Sequence, residues 1–489
     1  MLTALPPSGR PITELEHTQL RLRLIEGHAQ EDLHLHVVRT VGAVRAAAWG
    51  SPSRTANPLR DLASAVAVLY DEEPLVAHPQ APQPVVEDFV ERLRVSGLWQ
   101  VLAEAQFLTE ALNETAVAVE LDEDTGGLLW RVITPDLLDG QAEVGRPGHP
   151  ALLREWRPRV NARGRSGDVD WFVDVWDLRD RDRPVFRIED ARGNDVTGDY
   201  VEGGAREGDA YPWRYAPSPR FSRGRPFIPI SLRHSRSSPR RLFAPFFRVE
   251  TVDGTLDAGA LGGQKKHVAF QASFPLTLLV GGRLVSGVTE QTDSKGQPIA
   301  RAPTLDPAAI HEVEPTEPGQ QASVQVVRNE TDLLMLQEYG EREQAGLATP
   351  WGLTPADLQR TAADARSGVA LAISGEGRRR MQAARAPVYR PEDERLLGIA
   401  AALLRSRGIA PQLPDRGWVV THRLSPLSPQ ERAQRQAEAE SLYDRGLITR
   451  AEFRSMVMGE PLAVAARALD QARTERAPAP TPPASAGRS

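Results

Sequence analysis

The chain has no cysteine among its 489 residues. That excludes a disulfide, a thiolate metal site and a cysteine nucleophile. A zinc site would have to be built from histidine and carboxylate alone. Lysine is nearly as scarce, standing only at 265, 266 and 295, so arginine supplies almost all the positive side-chain charge. With Ala, Gly and Pro abundant, that arginine excess reads as a GC-rich coding sequence rather than as selection for arginine chemistry. Long apolar runs are missing too. No stretch nears the ~20 apolar residues that span a bilayer, so no membrane partner is expected. The opening "MLTALPPSGRP" lacks a basic start followed by an apolar run. No signal peptide is read there, and the expected compartment is the cytoplasm or a particle assembled in it.

Catalytic signatures are equally thin. No Gly-x-Gly-x-x-Gly follows a strand pattern, and there is no His-Glu-x-x-His or Gly-x-Ser-x-Gly. "SGEGRRR" (374–380) has glycines but no Lys-Ser/Thr after them, so it is not a phosphate loop. No cofactor is expected. His34 and His36 would share a face if "DLHLHVV" were a strand, but no third ligand stands at useful spacing. Two arginine clusters, 233–241 and 378–385, lack interleaved aromatics and so do not make a base-stacking groove. "LYDRGLITRAEFRSMV" contains the glycine turn of a helix-turn-helix, yet its second helix does not open on the polar residues that read bases.

What is present is an ordinary globular composition, 40% hydrophobic and 25% charged, with a net charge of -6. At roughly 150 residues per domain the length allows about three domains. The acidic balance argues against a surface that grips nucleic acid all over. "PLRDLASAVAVLYDEE" reads as a helix. From Pro84, apolar or small residues at 86, 89, 93, 97, 101, 105, 108 and 112 predict one long amphipathic helix. "TAVAVELDEDTGGLLWRVITP" reads as strand, turn, strand, and "DWFVDVWDL" with "RPVFRIEDARGNDVT" as a second hairpin or meander. "GRPFIPISLRHS" is a strand ending in a basic loop.

Residues 246–261 show a helical stripe interrupted by glycines, and 281–328 read as an inserted β subdomain. "NETDLLMLQEYGEREQAGL" is helical, with Asn329 as N-cap and Asp332 at N3. "DARSGVALAISGEGRRRMQ" (364–382) reads as the start of a long helix that Pro387 and Pro391 kink or break. "GWVVTHRL" is a lone late strand, and "SPQERAQRQAEAESLYDRGLITRAEFRSMVMGE" a helical hairpin. The Pro/Ala/Ser-rich residues after 472 carry too little apolar surface to fold.

In order and spacing, "FIPISLRHS" (227–235), "SGVAL" (367–371) and "LSPQERAQRQAEAESLYDRGLITRAEFRSMVMG" resemble the portal proteins of tailed bacteriophages over roughly residues 60–470. The resemblance implies an α+β fold: a mixed α/β wing, two stem helices flanking an inserted α/β clip, a long kinked helix and a helical crown. It implies a ring of about twelve copies at one capsid vertex of the virion, assembled in the host cytoplasm. The map would run as wing 1–240, first stem helix 241–272, clip 273–328 and second stem helix 329–345. Tunnel loop 346–362, long wing helix and connection 363–419, wing end and crown 420–471, and tail 472–489 would follow.

By the same resemblance, Thr349, Trp351, Leu353 and Thr354 would narrow the channel, and Glu330, Glu338 and Glu341 would line it. Ser367 and Gly368 would permit close helix crossings between subunits, while Arg378 and Arg379 would pair with acids of the next copy, "EDE" (392–394) being the candidates. Partners would be further copies of the chain, double-stranded DNA in transit, the large terminase, major capsid and scaffold proteins, and neck or head-completion proteins. No bond is broken by such a protein, so no catalytic residue is expected. Two other readings stay open. One is a metal-dependent nucleic-acid-processing enzyme using Asp122, Glu123 and Asp124, or the aspartates within 174–195. The other is a different assembly protein, a neck adaptor or scaffold.

Overall fold

A computed structural model describes residues 12–49, 52, 57–122, 124–160, 169–218, 222–236, 241–243, 247–273, 276–280, 282–284, 313–315, 323–327, 333–353, 358–360, 371–373, 375–424, 429–458, 465–466, 468–470 and 472–473. In chain order the elements begin with helices α1 (Ile12–Glu26), α2 (Gln30–Val41), α3 (Ala43–Trp49) and α4 (Pro58–Val66). Strand β1 (Leu75–Ala77) and helices α5 (Gln83–Val95) and α6 (Leu98–Leu112) follow. Next come β2 (Glu114–Leu121), β3 (Leu128–Ile133), β4 (Leu138–Glu143), β5 (Arg146–Val160), β6 (Val169–Asp177), β7 (Val185–Glu189), β8 (Arg206–Glu207) and β9 (Ile230–His234). Helix α7 (Val249–Ser273) leads to β10 (Leu276–Val280), β11 (Gly282–Leu284), β12 (Val313–Pro315) and β13 (Ser323–Val327). Helix α8 (Leu333–Ala348), strands β14 (Leu358–Arg360) and β15 (Leu371–Ile373), helix α9 (Gly375–Ser406), strand β16 (Val419–Thr421) and helices α10 (Pro429–Asp444) and α11 (Arg450–Met458) complete the chain. The fold mixes helices with antiparallel sheets.

Two compact units divide the chain: residues up to 25, 59–249 and 348 onward form one, and 26–58 with 250–347 form the other. The first is built on a three-stranded antiparallel sheet ordered β3-β2-β9. Strand side chains alternate between faces, and β2 uses both. Val117 and Val119 join the apolar cluster of α5, α6 and α9, including Leu93, Leu102, Leu396 and Ile399. Ala116 and Ala118 meet Trp176, Phe186 and Ile188 of the second sheet, ordered β4-β5-β6-β7-β8. Burial on both faces explains why "AVAV" (116–119) is apolar without a break.

The stretch expected as one long helix is two. Gly97 adopts φ +73°, a left-handed conformation that ends a helix and that glycine reaches without steric cost. Helix α5 stops before it and α6 starts after it. The late strand is not alone either, since β16 pairs antiparallel with β1, Val420 opposite Val76.

The long helix also begins later than its sequence suggests. Leu371–Ile373 is a strand paired with Leu358–Arg360, and the helix starts at Gly375. Gly375 and Gly377 therefore sit in the first turn, where nucleation rather than a packed interior is at stake, and the β-branched Ile373 suits extended backbone. From there α9 runs 32 residues through Pro387 and Pro391, about 48 Å at 1.5 Å per residue. Its second half is apolar enough to stay buried at Leu396, Leu397, Ile399, Ala400 and Leu404.

In the second unit α2 and α3 pack on α7 through Val37, Ala46 and Ala260. His36 lies on α2, not on a strand, and its Nε2 is 2.7 Å from Asp257 Oδ1. Helices α7 and α8 touch at two glycines. A Cβ on Gly254 would stand 2.5 Å from Leu347 Cδ1, and one on Gly340 would stand 3.0 Å from Leu261 Cδ2. The partners run in opposite directions, seven residues apart on each helix, so α7 and α8 are antiparallel. Between them β10 pairs with β13 and, nested inside, β11 with β12. Helix α7 starts at 249 rather than 241, and it carries its glycines without breaking.

Candidate functional site

Strand β9, within "FIPISLRHS", and helix α9 meet in a buried ionic core of the first unit; of "SGVAL" only Leu371 lies among the described residues. Alternation along β9 turns Ser231 and Arg233 toward α9. Ser231 Oγ donates to Glu392 O at 3.2 Å. Arg233, fully buried, reaches Asp393 at 2.5 Å and donates to Tyr70 Oη at 3.0 Å. Tyr70 Oη donates to Asp393 at 2.8 Å, and His422 Nε2 lies 2.9 Å from its other oxygen. Burial alone would raise the Asp393 carboxyl; Arg233 and the hydrogen bonds outweigh it and hold the group below the usual carboxylate range.

Next to this core His234 Nε2 donates to Leu242 O at 3.0 Å while Nδ1 faces Glu392 at 3.1 Å. With a proton on each nitrogen the ring would satisfy both acceptors. Burial pushes its pKa down, and Glu392 more than reverses that.

A second cluster seals the end of α6. Its last carbonyls have no partner inside the helix, and arginines fill the gap. Arg21 Nη1 donates to Ala111 O at 3.0 Å, and Arg248 Nη1 to Glu110 O at 3.1 Å. The buried Glu110 carboxylate lies 3.1 Å from both Arg248 and Arg385, and accepts from Tyr389 Oη at 3.2 Å. Arg248 itself has φ 60°, a strained conformation for a residue with a side chain. Its guanidinium stacks 3.8 Å over the Trp351 ring. Burial brings its pKa down to about 10, with Arg385 adding to the fall and Glu110 opposing it.

That contact decides where the expected tunnel-loop residues stand. Thr349 is exposed in a short 3-10 turn, but Trp351 and Leu353 are 1% and 2% exposed. Both pack inside the first unit; Thr354 lies outside the described residues. A tryptophan face beside a buried arginine gains more from stacking than from water.

Glu338 and Glu341 do lie on α8, Glu338 exposed and Glu341 accepting from Gln337 Nε2 at 3.1 Å. Glu330, Asn329 and Asp332 lie outside the described residues, as do Ser367 and Gly368. Arg378 pairs with Asp71 of the same chain. The "EDE" acids are likewise used within the chain: Glu392 by His234, Asp393 by Arg233, and Glu394 Oε1 by Val420 N–H at 3.3 Å.

The acids named for a metal are spread out and locally occupied. Asp122 closes its own turn, accepting from Asp124 N–H at 3.0 Å and from Thr125 Oγ1 at 2.5 Å; Glu123 lies outside the described residues. Asp174 is buried against Arg159 at 2.5 Å, and Asp190 accepts from Asn194 N–H at 2.9 Å. Among the described residues no three His, Asp or Glu side chains gather as metal ligands, and no helix is long and apolar enough to cross a membrane.

Sequence reasoning overlooked Glu110, Arg248 and Tyr70. The signal was there for Glu110: a lone charge in the apolar "QFLTEAL" needs a buried partner.

No family model and no curated protein matches the chain. Two of the solved structures similar to it come from gene transfer agent particles. One is a chain in the virion of a native gene transfer agent particle, 14% identical, with a TM-score of 0.34 over 84% of this chain and 95% of that one. The other belongs to the neck of an empty gene transfer agent particle computed with C6 symmetry. It is 14% identical, with a TM-score of 0.35 over 93% of this chain and 96% of that one. A likeness of this degree decides neither fold nor function.

Proposed function

We propose that the chain is a portal protein. Identical copies close into a ring of about twelve around an axial channel, through which double-stranded DNA enters and leaves a phage-like capsid. The observation that carries this reading is the excursion from 249 to 348. Two antiparallel helices bracket nested β pairs, as stem helices bracket a clip, and Arg248 over Trp351 ties its two ends together. Helix α8 adds support: Met335 and Tyr339, one turn apart, are 59% and 55% exposed. Such a stripe on a helix calls for a partner, and neighbouring copies in a ring would supply it. Glu338 and Glu341 on the adjacent stripe would then face DNA, keeping its phosphates from sticking.

In this reading the protein breaks no bond. Packaging energy comes from a separate terminase, and capsid, scaffold and neck proteins dock on the outer parts. Negative-stain microscopy of the purified full chain is the test. Rings of about a dozen copies with a central hole support the proposal. A monomer or small oligomer that cleaves nucleic acid with Mg²⁺ overturns it in favour of an enzyme, and a filament or a hole-free assembly overturns it in favour of an adaptor or scaffold.

A further inference from the structure

A second feature of the first unit stands apart from the channel reading. Strand β5, the 215–228 segment, α9 and the loop before β16 enclose a cavity of about 390 Å³. Five arginines line it, Arg146, Arg181, Arg225, Arg395 and Arg416, against three carboxylates. Two of the acids already serve other groups. Asp415 holds Arg405 at 3.0 Å and accepts from the Ala216 N–H, and Glu394 accepts from Val420. Glu143 is shared between Arg181 and, at 3.8 Å, Arg225. Among the described residues Arg146, Arg395 and Arg416 have no carboxylate within 4.0 Å. Arg416 instead stacks 4.9 Å over Tyr215.

Between two of these arginines sits His149. Arg146 Nη2 lies 3.1 Å from its Nε2, and Arg395 Nη1 lies 3.5 Å from its Nδ1. A neutral imidazole accepts at one nitrogen and carries a proton on the other. An imidazolium accepts at neither. Two guanidinium donors thus face a ring able to satisfy one of them at most. The longer contact, from Arg395, is the one left short. Burial, together with Arg395 and Arg146, pushes the His149 pKa down to about 4, so the ring is neutral near pH 7. Burial, with Arg146 adding to it, also lowers Arg395, and burial with Arg181 and Arg146 lowers Arg225.

We infer that the cavity is a binding site for a small phosphoryl oxyanion, inorganic phosphate or a phosphate monoester, held by the Arg395 fork with Arg146 and Arg416 at the mouth. The anion would accept the Arg395 donors that His149 leaves unmet. Guanidinium groups recognise phosphoryl oxygens in this bidentate way. The cavity is large enough for a phosphate with a modest organic group, and Tyr215 and Pro150 offer that group an apolar wall.

Calorimetric titration of the full-length chain in chloride buffer, at fixed ionic strength, tests the inference with two probes: inorganic phosphate and adenosine monophosphate. Saturable binding of either is expected, weakened roughly 10- to 100-fold in Arg395→Gln, the loss of one charge-assisted contact. Arg92→Gln, on the exposed face of α5, should bind as the parent does. Equal affinity for both probes makes the phosphoryl group the ligand, and preference for the nucleotide adds recognition of its organic part. If neither probe binds, or if Arg395→Gln binds both unchanged, the inference fails. Should circular dichroism show Arg395→Gln unfolded, Arg395→Lys and Arg416→Gln take its place, with weaker binding expected from each and undiminished binding by both overturning the site.

Discussion

At the scale of single residues, the first unit depends on charges it has taken out of water. Asp393 answers Arg233, Tyr70 and His422 at once, and Glu110 answers Arg248 and Arg385. Removing one partner of a buried pair leaves the other charge unpaired, which costs about 3–5 kcal/mol. Asp393→Asn and Glu110→Gln should therefore each lower the melting temperature of the full chain by several degrees or abolish soluble expression. Arg92→Gln, whose pair with Asp88 is exposed, should stay within about 1 kcal/mol of the parent. Calorimetric melting of the three variants checks this, and equal losses would mean that the buried pairs contribute no more than a surface one.

His149 adds a dependence on pH. Its pKa falls from 6.5 unfolded to about 4 folded, so between those values the unfolded chain binds the extra proton. Stability then drops as pH falls from about 6.5 toward 4, and His149 contributes no further change below that. His149→Gln should flatten the melting temperature across that window, and an unchanged slope would assign it to other groups. Such residues are only half legible in a sequence. A lone Glu110 in an apolar helix announces a buried charge, but its partners lie 138 and 275 positions away, and no spacing rule connects them.

At the scale of elements, legibility follows from whether a local signal exists. Strand β2 reads directly because both its faces are apolar. The α10–α11 hairpin reads because Gly446 ends one helix and the Thr449–Glu452 capping pair opens the next. The break at Gly97 was hidden by its neighbours, since the 3.6-residue stripe continues across it in phase. Strand β5 was hidden by Pro150 and Pro158, which argue against a central strand. In the fold Pro150 sits where the β4–β5 register shifts, so its missing N–H interrupts a ladder already broken.

Two helix glycines make a matched test. A Cβ on Gly398 in α9 would lie 2.8 Å from the Asp415 backbone oxygen, whereas one on Gly254 in α7 meets the Leu347 side chain, its methyls at 2.5 and 2.9 Å and Cγ at 3.2 Å. A backbone oxygen yields far less readily than a leucine methyl. Gly398→Ala should cost about 1–3 kcal/mol. Gly254→Ala should be near neutral, because the alanine gains roughly 0.5–1 kcal/mol of helix propensity while Leu347 turns aside. Melting temperatures decide it; a tolerant Gly398 would mean that the 415 loop shifts freely off α9.

At the scale of the whole molecule the open question is what α8 faces. Its exposed surface has two neighbouring stripes, Met335 with Tyr339 and Glu338 with Glu341. In the ring proposed above, the apolar stripe would pack on the next copy and the acidic stripe would face inward. Glu338→Lys with Glu341→Lys leaves the apolar stripe intact and turns two negative charges per copy into two positive ones. Rings should still assemble, while duplex DNA threaded through them should bind more tightly and with a steeper salt dependence. Each phosphate neutralised releases counterions, and the slope of log K against log salt changes by about 0.9 per contact. Fluorescence anisotropy of a short labelled duplex, titrated with parent and variant rings over a range of salt, measures that slope directly. Two lysines per copy, repeated around a narrow bore, cannot leave it unchanged if DNA passes beside them. An identical slope in intact rings would place the acidic stripe away from the DNA path and move the lining of the channel to another part of the chain.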